Sequence, residues 1–360
     1  MEELRSRREL SESPEATWRN SIQLPPFEGP TYRPHVARSR SRHTSSALVS
    51  FVEEALGAPL THPPETVTTL WAGYGRILRY HTREATPRSV IVKQIRFPEA
   101  RALDLGHQRK VRSYAVERTF YEKFAQFSRE RARVPELLAA SRQGEELWLV
   151  LEDIDAAGFP GRPRAGRADV TRAGLEWLAA FHAAHLGRTP SGLWEEGSYW
   201  HLGTRPDEHR SINGHPLHEL APELDRRLRR ARHRTLVHGD PKLENFCSEV
   251  GPSPRFAAVD FQYVGGGVGV RDVVYFIGSA ISPARVEADL PRLLCDYFRA
   301  LERELRAQGA TNAEMSEVEA EWRELAPVAW LDFYRFTLGW SPAWAQSDLY
   351  AQKLLRQFSL

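Results

Sequence analysis

The chain has 360 residues, and its 49 Lys plus Arg against 47 Asp plus Glu leave a formal net charge of +2, so no uniform field draws it to nucleic acid or an acidic membrane. Cys247 and Cys295 are too few for a disulfide framework or a zinc cluster and predict a reducing, cytoplasmic setting. The length exceeds one ordinary hydrophobic core and predicts two, while the longest apolar run, near Val273 to Ile277, is far too short for a membrane span.

The opening MEELRSRREL alternates charge where a secretory leader would need an apolar stretch. Residues 1–45 hold eight Arg and six Glu without periodicity, which predicts a mobile arm. An amphipathic helix is expected over Ser46 to Leu56, then strands at Thr66 to Trp71, Arg76 to His81 and Ser89 to Phe97. Val111, Tyr114, Glu117, Tyr121 and Phe124 step by three or four, the spacing of one helix face. Two more strands are expected at Arg133 to Ala139 and Glu146 to Leu151. Beyond Glu152 the pattern turns helical, at Val170 to His185, Leu217 to Arg232, Val273 to Ala280, Pro283 to Gln308 and Glu314 to Trp340. The predicted class is α+β, with an antiparallel sheet and one helix first and helices after, divided as 46–152 and 153–360.

Two residues on these elements are out of place chemically. Lys93 shares its strand face with Ile91 and Ile95, and Glu117 sits on the apolar stripe between Tyr114 and Tyr121. A buried charge is costly alone, so each accounts for the other. Farther on, two short apolar strands each run into an acid: Leu236-Val237-His238-Gly239-Asp240-Pro241-Lys242-Leu243-Glu244-Asn245-Phe246, then Phe256-Ala257-Ala258-Val259-Asp260-Phe261-Gln262. A His-Gly-Asp pattern with Asn five residues after the Asp arises by chance in only about 0.2% of such chains.

These words, together with LWAGYGRI, IVKQI, RSYAVERTFYEKF, LVLEDID, VDFQYVGGGVGVRDVVYFIG and DFYRFTLGW, resemble the aminoglycoside phosphotransferase and choline kinase superfamily, and within it the ecdysteroid-kinase-like branch. The resemblance spans about residues 65 to 340. It implies a two-lobed, protein-kinase-like fold, ATP as phosphate donor, Mg²⁺, and a small-molecule alcohol as acceptor. Phosphoryl transfer needs a carboxylate to orient and deprotonate a hydroxyl and cations to hold the polyphosphate. Asp240 is the candidate base, and Asn245 and Asp260 are the candidate Mg²⁺ ligands, because that ion selects oxygen. Lys93, paired with Glu117, would meet the ATP phosphates.

Gly73 and Gly75, in a turn between strands, would let backbone approach phosphate, and Glu152 and Asp153, at the end of the last strand, form the expected hinge whose backbone pairs with adenine. His238 is expected to orient the loop. Asp272 either ties down that loop, as the resemblance implies, or caps its own helix. His182 and His185 have metal-like spacing without a third ligand and read as packing residues. Gly239 stands where protein kinases usually carry Arg, and only eleven residues separate Asp260 from Asp272, too few for a peptide-docking segment. Gln262 replaces the Gly that usually follows Asp-Phe, and the glycine run 265–269 reads as mobile. The acceptor site is expected among Trp194, Tyr199, Trp200, Trp330, Asp332, Phe333, Tyr334, Phe336 and Trp340, where an aromatic box with a carboxylate would suit a cationic amine; an apolar, steroid-like acceptor and a polar amino-alcohol or sugar both remain open. A second reading is a nucleotide-binding regulatory protein that keeps the fold without turnover.

Overall fold

A computed structural model describes residues 46–70, 73–83, 87–98, 105–128 and 131–358. The predicted arm at 1–45 lies outside them, as do Trp71 and Ala72. Five strands, β1 (Glu65–Thr69), β2 (Gly75–His81), β3 (Ser89–Arg96), β4 (Leu137–Gln143) and β5 (Glu146–Glu152), form one antiparallel sheet in the order β1-β2-β3-β5-β4. The two-residue period sorts its side chains. Leu78, Tyr80, Val90, Val92, Trp148 and Val150 pack under α1 (Ser46–Leu56) through Leu48 and Val52. Ile95, Leu147, Leu149 and Leu151 belong to the main core, and Lys93 is buried on that side.

Helix α2 (Leu105–Lys123) follows β3, and from residue 153 onward the described chain is mainly helical. Helix α3 (Ala168–His185) packs on α6 (Gly269–Ala280) and α7 (Val286–Ala307), and α8 (Asn312–Trp340) lies against α5 (Pro216–Arg229) and α6. Thr311 and Glu314 close a capping box that starts α8. Four three-residue strands make two small antiparallel ladders: β6 (Thr235–Val237) with β9 (Gly265–Gly267), and β7 (Phe246–Ser248) with β8 (Phe256–Ala258). Helices α4 (Pro206–Ser211), α9 (Pro342–Ser347) and α10 (Leu349–Phe358) complete the described elements, and none of the described helices is long and apolar enough to cross a membrane. The α+β class read from the sequence is the one observed.

Four details depart from the sequence reading. The strand expected from Arg133 begins at Leu137, because Pro135 lacks the N–H a ladder needs. The segment expected as one helix from Pro283 opens with a 3₁₀ turn, Pro283–Arg285, before α7. The glycine run is not a loose segment: Gly265–Gly267 is a buried strand, and a Cβ on Gly265 would stand 2.2 Å from the Trp194 carbonyl oxygen. Finally, among the described residues the two expected cores are replaced by one large core and three smaller clusters, one of them under α1. The join is aromatic: Phe120 of α2 stacks on Phe261 with centroids 4.0 Å apart and meets Phe181 of α3 at 6.1 Å.

Candidate active site

Strand β3 and helix α2 face each other, and Lys93 Nζ lies 2.5 Å from Glu117 Oε1 and 3.2 Å from Asp260 Oδ1. Glu117 is fully buried. Burial by itself would lower the Lys93 pKa, but the carboxylates of Glu117 and Asp260 outweigh it and hold the ammonium charged.

The loop after β6 is held from below by α6. Asp272 Oδ2 accepts the His238 main-chain N–H at 2.6 Å, and Oδ1 accepts that of Gly239 at 3.0 Å. His182 Nε2 reaches the same Oδ2 at 3.2 Å, while its Nδ1 meets the Tyr297 hydroxyl at 2.8 Å. Asp272 therefore does not cap its helix, whose N-cap is Val268. Gly239 has φ +81°, and a Cβ there would come within 2.2 Å of the Tyr263 carbonyl oxygen, which explains why this position carries no larger residue. His238 donates from Nε2 to the Val259 carbonyl at 3.1 Å and accepts the Asp240 N–H at Nδ1, 3.3 Å away. Burial lowers its pKa and keeps the ring neutral, the form those two bonds require.

Asp240 is buried, and its carboxylate is clasped from three directions. Oδ2 accepts from Lys242 Nζ at 3.0 Å and Asn245 Nδ2 at 3.1 Å, and Oδ1 accepts from the Tyr275 hydroxyl at 3.1 Å. Asn245 Nδ2 also donates to the Asp240 carbonyl at 2.7 Å, so the amide oxygen points away from this loop. Asp260, just beyond β8, has φ +69°, the one positive φ at a non-glycine among the described residues. Its Oδ1 accepts from Lys93 and, at 2.6 Å, from Gln262 Nε2, which leaves Oδ2 open. Burial would raise its pKa, but Lys93, Lys110 and Lys242 outweigh that and hold it far below the usual carboxylate range.

The donor set suits a hard cation: a neutral amide oxygen at Asn245 and an ionised carboxylate oxygen at Asp260, each without a described hydrogen bond. Among the described residues no group of three His, Cys, Asp or Glu stands together as a metal site.

Not every residue singled out in the sequence comes to this point. Glu152 pairs with Arg133, and Asp153 accepts from Arg79 Nε at 2.7 Å and from the Ser89 hydroxyl at 2.7 Å. The Glu152 N–H and the Asp153 carbonyl are likewise taken, by Glu136 and Ala157. Ile154, which follows Asp153, forms a small apolar cluster with Phe159, Cys247 and Ala257, with Val259 packed on it. Gly73 lies between β1 and β2 and Gly75 opens β2; Gly73 N–H donates to the Leu70 carbonyl at 3.3 Å and Leu70 N–H to the Gly75 carbonyl at 2.8 Å. His185 is not a satisfied packing residue: it is fully buried among Phe120, Phe124, Phe127 and Phe181, with neither ring nitrogen hydrogen-bonded.

The aromatic cluster next to Asp240 is built on the buried rings of Trp200, Phe333 and Phe336, with half-buried Tyr199, Tyr275, Trp340 and Trp344 packed against them. The expected box with a carboxylate does not form, because Asp332 is buried against Arg335 at 2.9 Å and Arg271 at 3.6 Å. Trp330 turns instead to Asp348, and Trp194 packs on Tyr263. Lys242, Tyr275 and Lys110 were missed in the sequence. Tyr275 was within reach of a helical reading, since it stands one turn after Asp272.

Several solved structures resemble this chain. They include the microcompartment-associated aminopropanol kinase, at 14% identity over 86% of this chain and 98% of the other with a TM-score of 0.49. The aminoglycoside phosphotransferase APH(4)-Ia, as a thermostable mutant in ternary complex with ADP and hygromycin B, shows 12% identity over 88% and 100% with a TM-score of 0.46. A choline/ethanolamine kinase family protein from Mesorhizobium loti shows 14% identity over 85% and 94% with a TM-score of 0.41. No curated protein sequence matches the chain. The family model that does match is that of the ecdysteroid kinase-like family, over residues 215–310, the stretch that carries Asp240, Asn245, Asp260 and Asp272 and with it the branch resemblance read from the sequence.

Proposed function

We propose that this protein transfers the γ-phosphoryl group of ATP to a hydroxyl of a small-molecule alcohol, with residues 46–152 holding the nucleotide and 153–360 carrying the loop and the acceptor. The observation that carries this reading is that Lys93, from the first part of the chain, meets Asp260 of the second, while Asn245 and Lys242 hold Asp240 and the Lys242 charge also acts on Asp260. Lys93, kept charged by Glu117, would hold the phosphate oxygens. Mg²⁺, bound by Asn245 Oδ1 and Asp260 Oδ2, would supply charge neutralisation to those oxygens. Asp240 would accept the acceptor's proton at Oδ1, the oxygen that carries only the Tyr275 hydrogen bond, while Lys242 and Asn245 hold Oδ2 and so fix the carboxylate plane. The adenine would lie on Ile154, Phe159, Cys247 and Val259. The acceptor would lie against the half-buried rings of Tyr199, Tyr275 and Trp340, where Asp332 is taken up by Arg335.

The test is Asp240→Asn in a screen of hydroxylated metabolites read by mass spectrometry for an added phosphate. The wild type is expected to phosphorylate a member of the panel, and the variant to bind ATP equally well while turnover falls roughly 10²- to 10⁴-fold. A wild type that binds ATP with Mg²⁺ but modifies no alcohol would favour the regulatory, non-catalytic reading.

A further inference from the structure

Helix α2 brings a second ammonium close to Asp260. Lys110, Ser113 and Glu117 stand at i, i+3 and i+7 and so occupy one face of the helix. Glu117 is committed to Lys93. Lys110 Nζ donates to Gln262 Oε1 at 2.8 Å and lies 4.9 Å from the centre of the Tyr114 ring. Gln262 Oε1 also accepts from the Ser113 hydroxyl at 3.2 Å, and its Nε2 donates to Asp260, so a single neutral amide separates this ammonium from the candidate metal ligand. Among the described residues Lys110 forms no ion pair.

Its neighbours on α2 are used otherwise. Arg109 donates to the Thr204 carbonyl at 2.7 Å, and Arg112 lies over the Trp194 ring, 4.3 Å from its centre. Those two cations fasten α2 to the helical part, whereas the Lys110 ammonium faces inward, within electrostatic reach of Asp260, Lys93, Glu117 and Asp240. A half-buried ammonium with an amide and a ring for company is undersupplied with negative charge. Two of its three N–H groups are left for an incoming anion without any movement of Gln262.

We infer that Lys110 is a second polyphosphate-binding cation, which contacts the terminal phosphoryl group and so selects a nucleoside triphosphate over the diphosphate. The inference rests on the phosphotransfer reading above. Lys93 alone is shared between two carboxylates, and the charge that gathers on a transferring phosphoryl group is met by more than one cation where such transfer is fast.

Calorimetric titration of the full chain with ATP, ADP and adenosine in the presence of Mg²⁺ tests this for the wild type, Lys110→Met, Lys110→Gln, Lys110→Arg and Lys93→Met. Both neutral variants at 110 are expected to lose about tenfold or more in ATP affinity, a loss of about 1.4 kcal/mol, with ADP weakened by about threefold or less and adenosine unchanged. Lys110→Arg is expected to retain most of the preference for ATP. Unchanged adenosine binding shows that the cleft is folded, so a merely structural Lys110 would move all three ligands together, and that result overturns the inference. It is also overturned if both neutral variants keep the wild-type ratio of ATP to ADP affinity while Lys93→Met loses ATP binding. If the wild type binds no nucleotide, or Lys93→Met binds ATP like the wild type, the phosphotransfer reading falls and this inference with it.

Discussion

Asp272 shows how a single carboxylate can set a loop. It accepts two successive main-chain N–H groups, from His238 and Gly239, and a third contact from His182, all fully buried. An isosteric amide cannot repeat this, since it offers one oxygen and turns an NH₂ toward a donor. Asp272→Asn is therefore expected to leave a buried donor unpaired and to cost about 1–3 kcal/mol in urea unfolding. Turnover should drop while ATP affinity holds, because the displaced group is Asp240 and not Lys93. Equal losses of both would place the role of Asp272 elsewhere. Lys93 and Glu117 were legible in the sequence for a related reason: charges on apolar faces advertise partners.

At the level of elements, α6 works as a ruler. Asp272 and Tyr275, one turn apart, meet the backbone of the 238–240 loop and the carboxylate of Asp240. Gly239 makes that docking possible by its left-handed backbone and its approach to the Tyr263 carbonyl. In Gly239→Ala the backbone conformation alone costs about 1–2 kcal/mol, before the overlap is relieved. We expect a lower melting temperature and at least about a tenfold loss of turnover, since small misplacements of a base are expensive. Full turnover in the alanine variant would show that the loop tolerates displacement. The Tyr275 contact escaped the sequence reading because hydrophobic periodicity reports which face is buried, not which polar atom on it meets another element.

For the whole molecule, the merged aromatic core carries a chemical flaw. Burial among phenylalanines, reinforced by Arg188 and His182, holds His185 down at about 3, against an ordinary value near 6.5. Below pH 6.5 the unfolded chain takes up a proton that the folded chain refuses until about pH 3, so stability falls as the solution is acidified through that window. Neutral His238, likewise lowered by burial, pulls in the same direction. His185→Phe removes the titrating group without emptying the site. The variant is expected to gain about 2 kcal/mol more over wild type at pH 5 than at pH 8, measured by denaturant unfolding at both. A gain that does not depend on pH would mean that His185 titrates normally.

What the sequence by itself determined is the order of elements and the chemistry they carry: periodicities of two and near 3.6, an ammonium and a carboxylate on apolar faces, and a His-Gly-Asp loop followed by Asn and a second Asp. These are local properties, written within a strand, a turn or a helix face. What only the tertiary structure decided is which polar atoms meet. Asp332 fitted the expected acceptor site by position yet is consumed by Arg335, the side chains of Glu152 and Asp153 pair with Arg133 and Arg79, and Lys110, Lys242 and Tyr275 arrive unannounced. The Lys93 and Asp260 partners lie 167 residues apart, and their distance follows from tertiary packing, which no window along the chain contains.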